Sequence, residues 1–338
     1  MEIRRHKVLV LGAGGWGTAL AVVLHGNGHK VKIWAYEQDE ADNIRTYREN
    51  RRFLPGVTVP EGIDASTDMA RLLAGVTLIV NATPAQFTRG VLHRLAACKI
   101  SPCPVVNVAK GIENKTLKRM SQVMVEELPA FFHSLLATLS GPSHAEEVGR
   151  SIPTAVVAAA ANPRIPPLIQ QAFMCETLRV YSSDDLVGVE LAGSIKNIIA
   201  VAAGICDGLG FGDNAKGALL TRGLAEISRL GVAMGAKPAT FAGLAGMGDL
   251  VTTCTSRHSR NRYVGEQIGR GRKLPEILAE MVMVAEGVAT TESAHALSRQ
   301  FGVEMPITAE VYAALFEGKD PREAARNLMS RPAKPENW

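Results

Sequence analysis

Three stretches in direct succession limit most what this chain can fold into: Lys7-Val-Leu-Val-Leu11, Gly12-Ala-Gly-Gly-Trp-Gly17 and Thr18-Ala-Leu-Ala-Val-Val-Leu24. Val8 to Leu11 is apolar without alternation, the mark of a strand covered on both faces. Thr18 to Leu24 carries apolar residues at helical spacing, and Gly26 and Gly28 close that helix. Lys30-Val-Lys-Ile-Trp34 then reads as a second strand. Gly12, Gly14 and Gly17 therefore satisfy G-x-G-x-x-G at the strand-to-helix turn of a βαβ unit. In that setting the first glycine permits the tight turn. The second lets the backbone approach a pyrophosphate, and the third lets the helix pack close on the strand. The helix N-terminus adds unpaired N–H groups and a positive dipole end for phosphates. Glu37 stands 20 residues after Gly17, near the place of an acid for a ribose 2′-hydroxyl. Ala35 and Tyr36 come directly after the strand, so the choice between NAD and NADP stays open.

The pattern continues. Val76–Asn81, Val105–Ala109 and Leu135–Leu139 read as buried strands, followed by Ala82-Thr-Pro84, Lys110-Gly-Ile-Glu113 and Ser140-Gly-Pro-Ser-His-Ala145. Open parallel sheets bind ligands beyond the carboxyl ends of their strands, so these loops should converge on one crevice. Lys110 would stand there as a cation for an anionic substrate, or as an ordinary surface lysine at a strand end. Arg45 to Arg52 reads as helical and Asn50 to Gly56 as a loop. Ala155–Ala159 and Leu178–Ser182 look like two further strands around a helix from Pro167 to Cys175.

After Asp184 strand patterns vanish and apolar helices dominate. The expected fold is thus α/β: an N-terminal Rossmann-type doubly wound, mostly parallel sheet followed by an all-helical C-terminal domain. The boundary falls in the Asp184–Glu190 region, giving residues 1–187 and 188–338. The second part begins with an apolar helix in which only Lys196 is charged between Leu191 and Ile205. A lysine in such a run needs a partner or a task. Burial lowers its pKa towards the range of proton exchange near neutrality. Four of its helical neighbours, Ala192, Gly193, Ala200 and Ala203, are small, which reads as clearance for substrate and nicotinamide. A snorkelling lysine or a structural ion pair is the plainer alternative.

Further on, Gly243-Leu-Ala-Gly-Met-Gly-Asp-Leu250 is glycine-rich and carries one acid, Asp249. Arg257, Arg260 and Arg262 follow among hydroxyls and amides, a set whose forked guanidinium donors suit a phosphate. The last residues, Arg331 to Trp338, are proline-rich and read as frayed.

The totals narrow the classes. A net charge of +4 on 338 residues, with no long Lys/Arg run, does not ask for nucleic acid. The five cysteines are scattered, with no C-x-x-C, so neither a zinc site nor a disulfide framework is indicated and a cytoplasmic setting fits. No metal is called for. No run supplies the roughly 20 uninterrupted apolar residues of a membrane span; the Lys196 region comes nearest.

Taken together, Gly12–Ala19, Asn107–Glu113, Leu139–Ser143, Glu190–Asn197, Ala245–Leu250, Ser259–Arg262 and Val284–Gly287 resemble the bacterial NAD(P)-dependent sn-glycerol-3-phosphate dehydrogenases. The resemblance spans nearly the whole chain in one order. It implies an enzyme that exchanges hydride between NAD or NADP and C2 of glycerol 3-phosphate or dihydroxyacetone phosphate, supplying glycerol 3-phosphate for phospholipid synthesis. It further implies Lys196 as general acid/base with Asp249 beside it. Lys110, Gly141, Ser143, Lys196, Asp249, Ser259, Arg260 and Asn261 match substrate positions. Gly12, Gly14, Gly15, Trp16, Gly17, Lys110, Ala145, Arg260, Val284 and Glu286 match cofactor positions. A homodimer is the usual assembly. Two alternatives remain at this level: a dehydrogenase of similar architecture acting on a hydroxy acid, and a dinucleotide sensor without catalysis.

Overall fold

The computed structural model describes residues 5–333, 335 and 336. Met1–Arg4 and, in the proline-rich tail, Lys334, Asn337 and Trp338 lie outside the described residues. The chain opens with β1 (Lys7–Leu11), α1 (Gly15–Gly26), β2 (Lys30–Trp34) and α2 (Gln38–Tyr47). Next come β3 (Glu49–Asn50), β4 (Leu54–Thr58), β5 (Asp64–Ser66), α3 (Met69–Leu72), β6 (Leu78–Asn81) and α4 (Ala85–Ala96). They are followed by β7 (Val105–Asn107), α5 (Met120–Glu127), β8 (Leu136–Ser140), α6 (Ala145–Gly149), β9 (Thr154–Ala159), α7 (Ile165–Phe173) and β10 (Leu178–Ser183).

Eight strands form one sheet in the order β10-β9-β8-β7-β6-β1-β2-β5. Every neighbouring pair is parallel except β8 with β9. The apolar runs of β1, β6 and β8 are buried along their whole length apart from Lys7 at the outset, because helices cover both faces. The carboxyl ends of β1, β6, β7 and β8 share one edge of the sheet. β9 and β10 run the other way and end at the opposite edge, so they do not feed that crevice.

Two expectations change. The segment from Asn50 to Gly56 is not a free loop: β3 and β4 pair antiparallel. This hairpin is pinned to the glycine turn, since Asn50 Nδ2 donates to the Ala13 carbonyl at 2.7 Å and to Thr18 Oγ1 at 2.8 Å. The helix expected across Arg45–Arg52 stops at Tyr47, where Arg48 takes a left-handed conformation (φ 51°) and turns the chain into the hairpin.

From residue 186 onward every element is helical: α8 (Leu186–Gly208), α9 (Asp213–Ala233), α10 (Pro238–Phe241), α11 (Asp249–Thr255), α12 (Arg260–Gly269), α13 (Leu274–Glu280), α14 (Glu286–Gln300), α15 (Pro306–Phe316) and α16 (Pro321–Met329). Helix α8 is the axis of this part. By length and composition it would pass for a membrane span; its most apolar window has a mean hydropathy of 1.6, and 89% of that window is buried inside the molecule. It starts at Asp185, whose carboxylate accepts from Gly188 N at 2.8 Å and from Lys237 N at 2.9 Å. Glu190, in its second turn, ties α8 to the sheet domain: it accepts from Ser121 N and Oγ and pairs with Arg119 at the start of α5.

The small residues of α8 serve close packing. A Cβ on Gly204 would lie 1.9 Å from the Arg262 carbonyl, and one on Gly265 of α12 would lie 1.9 Å from the Val201 carbonyl. The α8 and α12 backbones therefore touch, and only glycine at the crossing allows it. Gly193, one turn before Lys196, leaves room for the Ser140 side chain: a Cβ there would lie 2.4 Å from Ser140 Oγ. The expected clearance for substrate and nicotinamide around Lys196 is thus corrected at Gly193, whose space a serine already takes.

Candidate active site

The glycine turn of β1–α1 forms one wall. Gly12 adopts φ +111°, and a Cβ there would come within 2.9 Å of the Ala82 carbonyl, so the turn packs directly on the loop after β6. A Cβ on Gly17 would sit 2.2 Å from the Gly12 carbonyl, the close helix-on-strand approach expected of this position. Gly14, the residue before α1, has nothing within 4 Å of a built Cβ. It faces open space, as backbone that receives a pyrophosphate must. Gly15 and Ala145 are neighbours across the starts of α1 and α6, with a Gly15 Cβ 3.7 Å from Ala145 Cβ.

The opposite wall is built by helices. Lys196 is buried in α8 with its Nζ 2.9 Å from Asp249 Oδ1, and it also donates to Thr253 Oγ1. Thr253 in turn donates to the same Asp249 oxygen at 3.1 Å. The other carboxylate oxygen, Oδ2, accepts from Lys110 Nζ at 2.7 Å. Lys110 further donates to the Gly141 carbonyl at 2.8 Å and to Ser143 Oγ at 3.3 Å. One buried carboxylate therefore bridges a lysine from the sheet domain and a lysine from the helical domain. Asp249 reaches this place because a single π-helical turn, Leu244–Gly248, delivers it as the first residue of α11.

Charge balance in the cluster sets its proton chemistry. Burial pushes the Lys196 ammonium down to about 8; Asp249 pulls it up and Lys110 pushes it further down. For Asp249, burial works against the charge, but Lys110 and Lys196 carry its carboxyl below the usual range. The cluster thus holds a carboxylate that stays ionised and a lysine that titrates just above neutrality.

A chain of side-chain amides links the rest. Asn197, next to Lys196, donates to the Lys110 carbonyl at 3.1 Å and accepts from Asn261 Nδ2 at 2.9 Å. Asn261 Oδ1 accepts from Gly287 N at 2.9 Å, at the start of α14. These bonds use Asn261 Oδ1 and one of the two Nδ2 hydrogens. The backbone of α12 also opens towards the cleft, since the helix begins at Arg260 behind the Ser259 cap, whose Oγ accepts from Arg262 N at 3.2 Å. Arg260 is solvent-accessible and its Nη1 reaches the Val284 carbonyl at 3.0 Å. Glu286 places Oε1 on Ala85 N at 2.8 Å, at the start of α4. Arg262 leaves the expected arginine set: its Nη1 binds Asp207 at 2.6 Å and its Nε the Ser256 carbonyl at 3.1 Å, both structural ties.

Four buried polar atoms around this cleft have no hydrogen-bond partner among the described residues: Trp16 Nε1, Ser140 Oγ, His144 Nε2 and Glu286 Oε2. Native interiors pair nearly all such atoms, so a ligand or ordered water in the cleft would complete these four. Trp16 and Glu286 lie on the side of the glycine turn and the loop after β6, which fits a dinucleotide laid across those strand ends.

Thr253, Asn197 and His144 were not singled out from the sequence; their roles arise only when α8, α11 and the β8–α6 loop meet. Arg94 was also missed. It comes from α4 to lie over the Tyr36 ring at the end of β2, 5.0 Å from its centroid, bringing a guanidinium to the strand end where no basic residue follows in sequence.

A glycine-lined dinucleotide turn facing a buried lysine–carboxylate–lysine cluster defines a two-part, nicotinamide-dependent dehydrogenase. The chain matches the family models described as NAD-dependent glycerol-3-phosphate dehydrogenase N-terminus over residues 7–165 and C-terminus over residues 185–326. It belongs to that family. A glycerol-3-phosphate dehydrogenase [NAD(P)+] of Chlorobium phaeobacteroides (strain BS1) is 52% identical over 330 residues, covering 98% of this chain and 99% of the relative. The crystal structure of glycerol-3-phosphate dehydrogenase from Coxiella burnetii superposes with a TM-score of 0.92 at 39% identity, over 97% of this chain and 99% of that one. A glycerol-3-phosphate dehydrogenase structure from Saccharomyces cerevisiae gives a TM-score of 0.81 at 26% identity, covering 97% and 100%.

Proposed function

We propose that the chain interconverts sn-glycerol 3-phosphate and dihydroxyacetone phosphate, with NAD or NADP as the hydride carrier. The full-length likeness to relatives of that name supports the reaction. The observation that carries the residue assignment is Asp249 bridging Lys196 and Lys110 at the strand-end crevice.

Bound nicotinamide supplies or accepts the hydride at C2. The Lys196 ammonium gives a proton to the C2 oxygen during ketone reduction, and the neutral amine takes it back during oxidation. Asp249 stays ionised throughout, orients Lys196 and supplies the counter-charge for the two lysine ammoniums. Lys110, with Gly141 and Ser143, holds the oxygens beside C2. Arg260 and the opening N–H groups of α12 behind Ser259 take the phosphate, which orients C2 for transfer. Gly12, Gly14, Gly15, Trp16 and Gly17 hold the pyrophosphate side of the dinucleotide. Ala145, Val284, Glu286, Lys110 and Arg260 flank it towards the substrate.

The division of labour falls at residues 187/188, between the sheet that binds dinucleotide and the helices that bind substrate. A homodimer and a cytoplasmic setting complete the reading. The five thiols are free, and Phe211, Val232 and Met247 expose apolar surface on the helical part. Light scattering checks the dimer. Initial rates with dihydroxyacetone phosphate, comparing NADH with NADPH, test the function; no turnover with either overturns it.

A further inference from the structure

His144 lies between Ser143, which Lys110 contacts, and Ala145, which opens α6 beside the glycine turn. Its backbone carbonyl accepts from Glu147 N at 3.1 Å and Val148 N at 3.0 Å, so the main chain is fixed by the first turn of α6. Its ring faces His258 across the cleft, 5.9 Å between centroids at 50°. His258 belongs to the turn that leads through Ser259 into Arg260, and Ser256 Oγ holds its backbone N–H at 3.1 Å. The His144 ring therefore stands on the sheet-domain wall, opposite the loop that opens α12.

His144 Nε2 is buried and has no hydrogen-bond partner among the described residues. A buried nitrogen left unsatisfied is costly, so a ligand or an ordered water must meet it. The groups that act on it are known. Burial, then Lys196, then Lys110 hold the imidazole below its ordinary pKa, while Glu146 and Glu147 pull it up; His258 lies opposite. At neutral pH the ring is uncharged and has one N–H to place. An anion beside it selects the tautomer with that hydrogen on Nε2.

We propose that His144 is a further substrate-binding residue, its Nε2–H donating to the phosphate that Arg260 and the start of α12 hold. This rests on the reading of the cleft as a phosphorylated-substrate site. It makes the phosphate pocket two-sided: cationic and backbone donors from the helical domain, a neutral imidazole donor from the sheet domain.

The test uses His144→Phe and His144→Gln in the full chain. Phenylalanine keeps the ring against His258 and deletes the nitrogen; glutamine restores an N–H donor. The expected result for His144→Phe is a rise of about 10- to 100-fold in KM for dihydroxyacetone phosphate and in the inhibition constant of inorganic phosphate. KM for NADH stays within about twofold, and His144→Gln recovers part of the loss. Because the deleted nitrogen has no partner among the described residues, His144→Phe should melt at or above the wild-type temperature. A packing role predicts the reverse, a lower melting temperature with the phosphate constant unchanged, and that result overturns the proposal. Wild-type enzyme that turns over no phosphorylated ketone would instead overturn the underlying reading of the site.

Discussion

Asp249 accepts Lys196 on one oxygen at 2.9 Å and Lys110 on the other at 2.7 Å, so one carboxylate couples the two halves of the molecule at the candidate active site. The pair Lys196–Asp249 is buried within α8 and α11, while Lys110 arrives from the end of β7. Any change at Asp249 is felt on both walls of the cleft at once.

The first prediction concerns pH. Lys196 titrates at about 8. Below that value it is an ammonium and can donate, so ketone reduction should be fastest on the acid side and decline as pH rises through about 8. Alcohol oxidation needs the free amine and should rise through the same range. In Asp249→Asn the raising influence of the carboxylate is gone, so both limbs should move to lower pH. The pH profiles of kcat/KM in the two directions check this.

The second concerns the dinucleotide turn. Gly14 and Gly17 are both glycines of one motif, but only Gly17 is packed. Gly14→Ala should fold normally and weaken NADH binding about tenfold, the worth of one good hydrogen bond. Gly17→Ala forces a Cβ into the Gly12 carbonyl and should cost about 1–3 kcal/mol of stability. Fluorescence titration with NADH and denaturant unfolding separate the two effects.

The third concerns the phosphate. Arg260→Ala should raise KM for dihydroxyacetone phosphate by about tenfold or more, because it removes a charge-assisted contact. KM is the quantity to measure, and an unchanged value argues against Arg260 as a phosphate ligand. Arg262→Ala should instead lower stability, since Arg262 is held by Asp207 and Ser256.

The fourth concerns the link between the halves. Glu190 is buried and accepts from Arg119 and from both donors of Ser121. Glu190→Ala strands Arg119 and should cost about 3–5 kcal/mol, the range for removing one partner of a buried ion pair. Urea unfolding monitored at 25 °C measures it.

What was legible in the sequence was local. The βαβ unit carries its meaning in adjacent residues, and Lys196 is conspicuous because one charge stands in an apolar helix. Lys110 follows from its place after a buried strand, whereas the roles of Gly141, Ser143 and Asp249 come from family resemblance; the structure brings these four together with Lys196. The sequence could not show that one carboxylate bridges two lysines, because that depends on a π turn and on the loop after β7 meeting the start of α11. It misled at Gly193, which makes room for Ser140, because apolar spacing cannot distinguish that from room for a ligand. Nor could the sequence show that the Asn261 side chain joins Asn197 to Gly287.

The most direct measurement is single-turnover and steady-state kinetics of Lys196→Ala alongside its NADH affinity. The account predicts a fall in kcat of about 10²- to 10⁴-fold, the usual worth of a positioned general acid, with NADH binding within about threefold of wild type. Turnover close to wild type in that variant would contradict it, because Lys196 would then hold structure and not move the proton.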